Sequence, residues 1–263
     1  MPAPAQLPRV VATRYVLPLR EGGSLPGLVE ADDLGTYVVK FRGAGQGHKA
    51  LAAEVIVAQL AHAVGLRVPD LVTITIDDQL GRAEPDPEIQ DLLRASRGLN
   101  LGVDYLPRSM GFDPAADSVA ADLAATIVWF DALVLNVDRS WRNPNLLCWH
   151  GDLWLIDHGA ALYFAHSWET SDRARSREYD HAAEHVLLPM ASSIAAADER
   201  TADRLDGDVI AAAVATVPDD WLVPEPPFAS ADDVRRGYVD VLMGRLDNRS
   251  AWVPALEGHR VTV

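Results

Sequence analysis

The hydrophobic pattern changes character along the chain, and this change constrains the fold more than any other feature of the sequence. Up to about residue 107, short β-branched and aromatic runs alternate with glycine- and aspartate-rich turns, which is typical of antiparallel strands. Beyond that point, long segments with apolar residues at helical spacing dominate. The sequence therefore predicts an α+β fold, with a β-rich N-terminal lobe over residues 1–107 and a mainly helical C-terminal lobe over residues 108–263.

The N-terminal lobe is predicted to be an antiparallel meander followed by one long helix. The helix covers about residues 49–64, where apolar residues recur near helical spacing, and Gly65 ends it. A short helix is expected at 88–95, and a connection between the lobes, or hinge, at 98–107. The predicted strands are residues 15–19, 28–31, 36–41 and 71–76.

The C-terminal lobe is predicted to contain three long helices and one hairpin. The hairpin consists of strands 146–149 and 153–156 around the turn His150-Gly151-Asp152, and its second strand ends at Asp157. A proline-rich connection at 217–230 precedes the last of these helices. The predicted helices are residues 118–135, 179–197 and 231–245.

Charge and cysteine content exclude several classes of protein. The 263 residues carry a formal net charge of −15, which argues against a surface that coats nucleic acid directly. A single cysteine, Cys148, excludes an internal disulfide and fits a reducing compartment. The N-terminal residues lack the pattern of a signal peptide, and the most apolar stretch, 119–137, contains Asp122 and Asp131. We therefore expect a cytoplasmic protein without a membrane span.

A lysine at the end of a predicted strand precedes a helix that carries a glutamate. Lys40 lies at the end of a predicted strand, and Glu54 lies on the helix that follows it. A lone lysine at a strand end is usually a solvated edge charge. Here the directly following helix offers a glutamate partner, which is the pairing that holds a lysine against the phosphates of a nucleotide.

A polar loop follows the buried helix of residues 118–135. Within this loop, Asp138 has the chemistry to accept a proton from a substrate hydroxyl. Asn143 and Asn145 follow it, and an asparagine amide oxygen is a hard ligand suited to Mg²⁺. The alternative is an ordinary turn, since Asn and Asp are common turn formers.

A second carboxylate, Asp157, ends four apolar residues and is followed by His158 and Gly159. An Asp-X-Gly sequence alone also fits a simple turn. The joint order of Lys40, Glu54, an aspartate with an asparagine, and then Asp157 supplies every charged part that phosphoryl transfer needs. The order of these residues, more than any one of them, indicates a kinase.

These motifs resemble the HipA-like branch of the atypical kinases, which are relatives of the phosphatidylinositol kinases. The resemblance covers about residues 15–168. It implies a bilobal protein-kinase-like fold and ATP- and Mg²⁺-dependent phosphate transfer to a hydroxyl of a protein or a small molecule. It also implies that Lys40 binds phosphates, Asp138 is catalytic and Asp157 binds magnesium. The segments that carry the resemblance are Tyr37-Val38-Val39-Lys40-Phe41, Asn136-Val137-Asp138-Arg139 and Ile156-Asp157-His158-Gly159.

The sequence departs from the family pattern in three ways. His158 replaces a phenylalanine, and the metal-binding asparagine has two candidates. The spacing from Asp138 selects Asn143, whereas the start of the next strand selects Asn145, which we prefer. HipA toxins have an extra N-terminal subdomain, and this chain begins almost at the kinase lobe. The resemblance therefore does not carry over a toxin role or an antitoxin partner.

Two glycine-rich segments compete as the loop that covers the phosphates. Gly22, Gly23 and Ser24 link two predicted strands, as the phosphate loop of a kinase does. Residues 43–47 precede a helix, whose N-terminus is itself suited to anions. The position within the meander favours the first segment.

Two other functions and one charged segment stay open. The main alternative to an active kinase is a non-catalytic nucleotide-binding pseudokinase. A zinc peptidase is a minor alternative, since His181, Glu184 and His185 match the His-X-X-Glu-His pattern on a predicted helix. The arginines between 173 and 177 form either a solvated stretch or an anion-binding segment.

Overall fold

The computed structural model describes residues 6–19, 25–44, 47–81 and 84–262. Its N-terminal part is a closed five-stranded barrel. The strands are β1 (Arg9–Pro18), β2 (Gly27–Ala31), β3 (Thr36–Lys40), β4 (Leu71–Ile76) and β5 (Gly98–Asp104). They follow the order β1-β2-β3-β5-β4 with antiparallel neighbours, and a parallel pairing of β1 with β4 closes the barrel.

The predicted meander is present, but the barrel contains more strand than the sequence indicated. β1 begins at Arg9, earlier than expected, and β5 occupies most of the predicted hinge. Gly102 explains how β5 fits between β3 and β4. A Cβ at this position would lie 2.7 Å from the Val72 side chain and 3.4 Å from Tyr37, so only glycine lets the strands pair here.

Helix α1 (Gly47–Val64) connects the barrel to the rest of the molecule. Its residues are buried around nearly the whole circumference, because the barrel covers one side and the helical part covers the other. Helix α2 (Pro87–Ala95) closes one end of the barrel with Ile89 and Leu93. The Asp86 side chain caps α2 by accepting a hydrogen bond from the Glu88 amide at 3.0 Å.

The C-terminal part is mainly helical and also contains a small antiparallel sheet. The sheet order is β6-β7-β8, and β7 with β8 forms the predicted hairpin. No helix within the described ranges combines the length and the apolar character needed to cross a membrane. The strands are β6 (Met110–Gly111), β7 (Leu146–Trp149) and β8 (Asp152–Leu155). The helices are α3 (Ala121–Val134), α4 (Ile194–Thr201), α5 (Gly207–Ala215), α6 (Ala231–Asp247) and α7 (Arg249–Thr262).

The predicted helix over residues 179–197 was wrong. The structure has two short 3₁₀ turns there, Ala182–Glu184 and Leu188–Met190, and α4 begins only at Ile194. Pro189 lacks a backbone N–H and so interrupts any continuous helix. Ser193 then starts α4 by accepting a hydrogen bond from the Ala196 amide at 3.2 Å.

Candidate active site

Lys40 is the meeting point of three structural elements. It ends β3, and its Nζ donates to Glu54 Oε1 on α1 and, at 2.6 Å, to Asp157 Oδ1 after β8. The lysine side chain is 16% exposed and Glu54 is 3% exposed, so solvent competes little for this contact. The contact between Lys40 and Glu54 that the sequence predicted is present, and Asp157 joins it.

The charges in this group are strongly coupled. Burial opposes the charged form of Lys40, but the carboxylates of Glu54 and Asp157 outweigh it and raise the lysine pKa. Burial raises the pKa of Glu54. Burial acts in the same direction on Asp157, yet the Lys40 charge prevails and lowers its pKa. One ammonium faces two carboxyl groups, so its single positive charge is shared between them. A further cation beside Asp157 would balance the remaining negative charge.

The predicted catalytic loop leaves α3 through Leu135, which adopts a left-handed conformation with φ of 53°. The Asp138 amide donates to Asn136 Oδ1 at 3.1 Å. Asn143 Nδ2 donates to Asp138 Oδ2 at 2.9 Å, and Asn145 Nδ2 donates to the Asp138 carbonyl and Oδ2 at 3.1 and 3.3 Å. The structure therefore brings both candidate asparagines to the same aspartate.

Strand register places Asn145 beside Asp157. Leu146 of β7 pairs with Leu155 of β8, and the Ile156 amide donates to the Asn145 carbonyl at 3.1 Å. Asn145 and Asp157 both adopt a positive φ, 49° and 56°. Asn and Asp tolerate this conformation better than most residues, and such strain is commonly found at functional sites. The hairpin ends thus present an amide and a carboxylate together.

A cluster of buried polar side chains on the α3 side of the loop holds the Asp138 loop in place. The sequence did not predict this cluster. Asp131 on α3 accepts hydrogen bonds from Asn136 Nδ2 at 3.0 Å, Arg139 Nε at 2.5 Å and His185 Nε2 at 3.0 Å. Burial raises the carboxyl pKa, but the charge of Arg139 and the bond from His185 lower it below its usual value. The available signal was an aspartate inside the most apolar helix of the sequence. We call Asp131, Asn136, Arg139, His158 and His185 the Asp131 cluster.

Arg139 extends this cluster to both functional loops. Its Nη1 donates to the Asn145 carbonyl, and its Nη2 lies 3.4 Å from His158 Nδ1. Burial, followed by the Arg139 charge, lowers the pKa of His158 to about 3. The imidazole is therefore neutral at physiological pH and accepts from the guanidinium. His158 thus has a polar contact that a phenylalanine in its place would lack.

The zinc interpretation does not agree with the structure. His185 is buried, with one ring nitrogen bonded to Asp131 and the other accepting from the Leu187 amide at 3.1 Å. His181 precedes a 3₁₀ turn that ends at Glu184, and neither residue lies on the helix that the motif requires. Within the part of the chain that the structure describes, no group of three or more His, Cys, Asp or Glu side chains is placed to hold a metal ion.

Two further sequence predictions have different outcomes. Gly22, Gly23 and Ser24 lie outside the described residues, so the proposed phosphate loop stays a prediction. The arginine-rich segment lines a cleft of about 1030 Å³ that also contains Val137, the neighbour of Asp138.

Comparisons with known proteins concern the family and the fold of the chain. No curated protein matches the sequence. The crystal structure of a Helicobacter pylori proinflammatory kinase, CtkA, is similar with a TM-score of 0.53 and 12% sequence identity. The match covers 96% of this chain and 99% of CtkA, and at this identity it shows a shared fold alone. A model described as HipA-like kinase matches residues 14–254, which is most of the sequence. The chain belongs to the HipA-like kinase family.

Proposed function

We propose that this protein transfers the γ-phosphate of ATP to a hydroxyl acceptor in a Mg²⁺-dependent reaction. The barrel with α1 then forms the N-lobe of a bilobal protein-kinase-like fold, and the helical part forms the C-lobe. The observation that carries the proposal is the convergence of Lys40, Glu54 and Asp157 from three separate elements, in a chain of the kinase family. Cys148 as the single cysteine supports a reducing compartment such as the cytoplasm.

The donor set next to Lys40 suits Mg²⁺. Asp157 offers a carboxylate that is 44% exposed, and Asn145 offers an amide oxygen at the adjacent hairpin end. Both are hard oxygen ligands of the kind that Mg²⁺ prefers beside nucleotide phosphates, and the bound ion neutralises phosphate charge. The register of β7 and β8 favours Asn145 over Asn143, because Asn145 lies opposite the residue before Asp157.

The remaining residues have separate roles in this proposal. Lys40 holds the nucleotide phosphates, and Glu54 orients its ammonium group. Asp138 accepts the proton of the acceptor hydroxyl, with its carboxylate oriented by the two asparagine amides. Val137, the residue before Asp138, lines the 1030 Å³ cleft. This cleft is our candidate for the acceptor site.

Binding and turnover measurements on two variants test these roles. Asp157→Asn should weaken Mg²⁺-dependent ATP binding, measured by calorimetry, because it removes the charged metal ligand. Asp138→Asn should bind MgATP like the wild type and lose conversion of ATP to ADP. Asp152→Asn, an exposed aspartate paired with Arg67, is the control and should change neither quantity.

The results also separate the enzyme from the non-catalytic alternative. A wild type that binds MgATP but transfers no phosphate to any acceptor would be a nucleotide-binding pseudokinase. Loss of ATP binding in Asp138→Asn alone would mean that the two aspartates have exchanged roles. Asn145→Ala and Asn143→Ala identify the metal asparagine, since only one of them should raise the Mg²⁺ concentration needed for ATP binding.

A further inference from the structure

We propose that Asp131 and Arg139 are positioning residues that hold the catalytic loop and the Asp157 segment in one fixed relative geometry. Neither side chain reaches the cleft, because both are 0% exposed. The catalytic consequence rests on the proposed function, whereas the structural coupling rests only on contacts among the described residues.

The first branch of this coupling runs through Asn136 to Asp138. Asn136 Nδ2 donates to Asp131 Oδ1 at 3.0 Å, which fixes the direction of the amide group. Its oxygen then accepts from the Asp138 backbone amide at 3.1 Å. The position of Asp138 in the loop is therefore set by a carboxylate on α3.

The second branch runs through Arg139 to the hairpin ends. Asp131 holds Arg139 Nε at 2.5 Å, and Nη1 of the same guanidinium donates to the Asn145 carbonyl. That carbonyl also accepts from the Ile156 amide at 3.1 Å, one residue before Asp157. One backbone oxygen thus joins the loop that contains Asp138 to the segment that contains Asp157.

An arginine is required at this position because its donors form a rigid planar fork. Nε, Nη1 and Nη2 of Arg139 face three acceptors at once, on Asp131, Asn145 and His158. A lysine keeps the positive charge for Asp131 but has one nitrogen, which lacks the planar spread needed to serve all three. Arg139→Lys therefore cuts the coupling while it keeps the buried charge paired.

Residue-resolved amide hydrogen exchange without nucleotide tests the coupling directly. In Arg139→Lys, we expect the Ile156 amide to exchange at least ten-fold faster than in the wild type. Asn136→Ala cuts only the first branch, so the Asp138 amide should exchange at least ten-fold faster while Ile156 changes less than two-fold. Arg245→Lys is the matched control, since Arg245 is also buried and donates to the carbonyls of Ala132, Ala174 and Arg177, none of which belongs to the Asp138 loop or the Asp157 segment.

Unchanged exchange at Ile156 in Arg139→Lys would overturn the proposal. An equal increase at Ile156 in Arg245→Lys would also overturn it, because the effect would then be general loss of stability. Asn136→Ala provides a second variant if Arg139→Lys does not fold.

Steady-state ATP hydrolysis provides the functional reading. Arg139→Lys should lower kcat at least ten-fold and raise the KM for ATP by a smaller factor, because Lys40 and Glu54 are untouched while the proposed metal ligands Asn145 and Asp157 lose their anchor. Arg245→Lys should keep kcat within two-fold. A wild type without ATP turnover would refute the proposed function, and the exchange measurement would still decide the coupling. Equal losses of kcat in both lysine variants would refute a positioning role.

Discussion

At the scale of single residues, Glu54 combines a charge with almost complete burial. Its side chain is 3% exposed on a helix whose other residues there are apolar, and its partner is Lys40. A carboxylate in such a place is costly to bury even with a partner, so its presence points to a task beyond stability. In our proposal that task is to aim the lysine ammonium at the nucleotide phosphates.

Replacing Glu54 by glutamine should weaken MgATP binding by about ten-fold. The neutral amide loses a charge-assisted hydrogen bond, worth about 1.5–3 kcal/mol, and leaves Lys40 to bind Asp157 alone. Calorimetric titration with MgATP measures this effect. Glu30→Gln is the control, because Glu30 pairs with Arg14 on the exposed surface of the barrel and should leave affinity unchanged. Equal affinity of Glu54→Gln and the wild type would contradict the assigned role.

The lowered pKa of Asp131 predicts how the free energy of unfolding depends on pH. Its folded pKa lies below the value of about 3.9 in an unfolded chain. The stabilisation is therefore complete above the unfolded pKa and is lost as pH falls towards the folded pKa. Asp131→Asn should lower the free energy of unfolding by about 3–5 kcal/mol at pH 7, since it leaves Arg139 buried without a countercharge. At pH 3 this difference should be smaller by about 1 kcal/mol.

Urea denaturation at the two pH values, followed by tryptophan fluorescence, measures the difference. Asp152→Asn serves as the comparison, because its exposed pair with Arg67 contributes little at any pH. A difference between wild type and Asp131→Asn that grows on acidification would show that the sign of the pKa shift is wrong.

At the scale of elements, the turn between β2 and β3 stores strain that a mutation can release. Leu34 has a φ of 68° and is 95% exposed, so it takes an unfavourable conformation without burying its side chain. Leu34→Gly should raise the free energy of unfolding by about 0.5–1 kcal/mol, because glycine adopts this conformation without the steric cost. Leu17→Gly on β1 should lower it, since glycine weakens a strand interior. A Leu34→Gly variant less stable than the wild type would refute the explanation.

Hydrophobic periodicity was enough to place the main elements. It predicted β4 and β7 with their observed bounds and α1 within two residues of its start. It did not predict α7, whose interior Pro254 ordinarily indicates a break, or the short 3₁₀ turns after Asp157, whose weak local preferences depend on packing. The local sequence pattern therefore predicts an element best where apolar residues recur at a regular spacing.

The residues of the candidate site and the contact between Lys40 and Glu54 were predictable from the sequence, but its long-range contacts were not. The order from Lys40 to Asp157 could be read from the sequence because each residue type has a known chemistry at its position. The contact between Lys40 and Asp157 joins residues 117 apart, and the Asp131 cluster joins α3 to the turn at His185. Such contacts follow from the packed fold, so no local spacing in the sequence encodes them.

At the scale of the whole molecule, two hydrophobic cores share structural elements. One fills the barrel interior and includes Ile74, and the other joins α1 to the C-terminal helices. Strand β4 contributes to both, with Ile74 in the first and Leu71 in the second. Backbone contacts also cross between the parts, since the Leu155 amide donates to the Arg67 carbonyl at 2.9 Å. If β4 detached from either core, apolar residues of both cores would become exposed to solvent.

The two parts should therefore unfold together, and the distribution of tryptophan allows a direct test. All 7 tryptophans lie at residue 129 or later, so fluorescence reports mainly on the C-terminal part. Trp221 also contacts the barrel, since its Nε1 donates to the Leu99 carbonyl of β5 at 3.4 Å. Ile74→Ala creates a cavity inside the barrel and should cost about 2–5 kcal/mol. Because the cores share β4, the fluorescence midpoint in urea should fall as much as the midpoint from far-ultraviolet circular dichroism. Thr75→Ala, at an exposed position of the same strand, should move neither midpoint appreciably. A fluorescence midpoint that stays at the wild-type value would mean that the barrel unfolds as an independent domain.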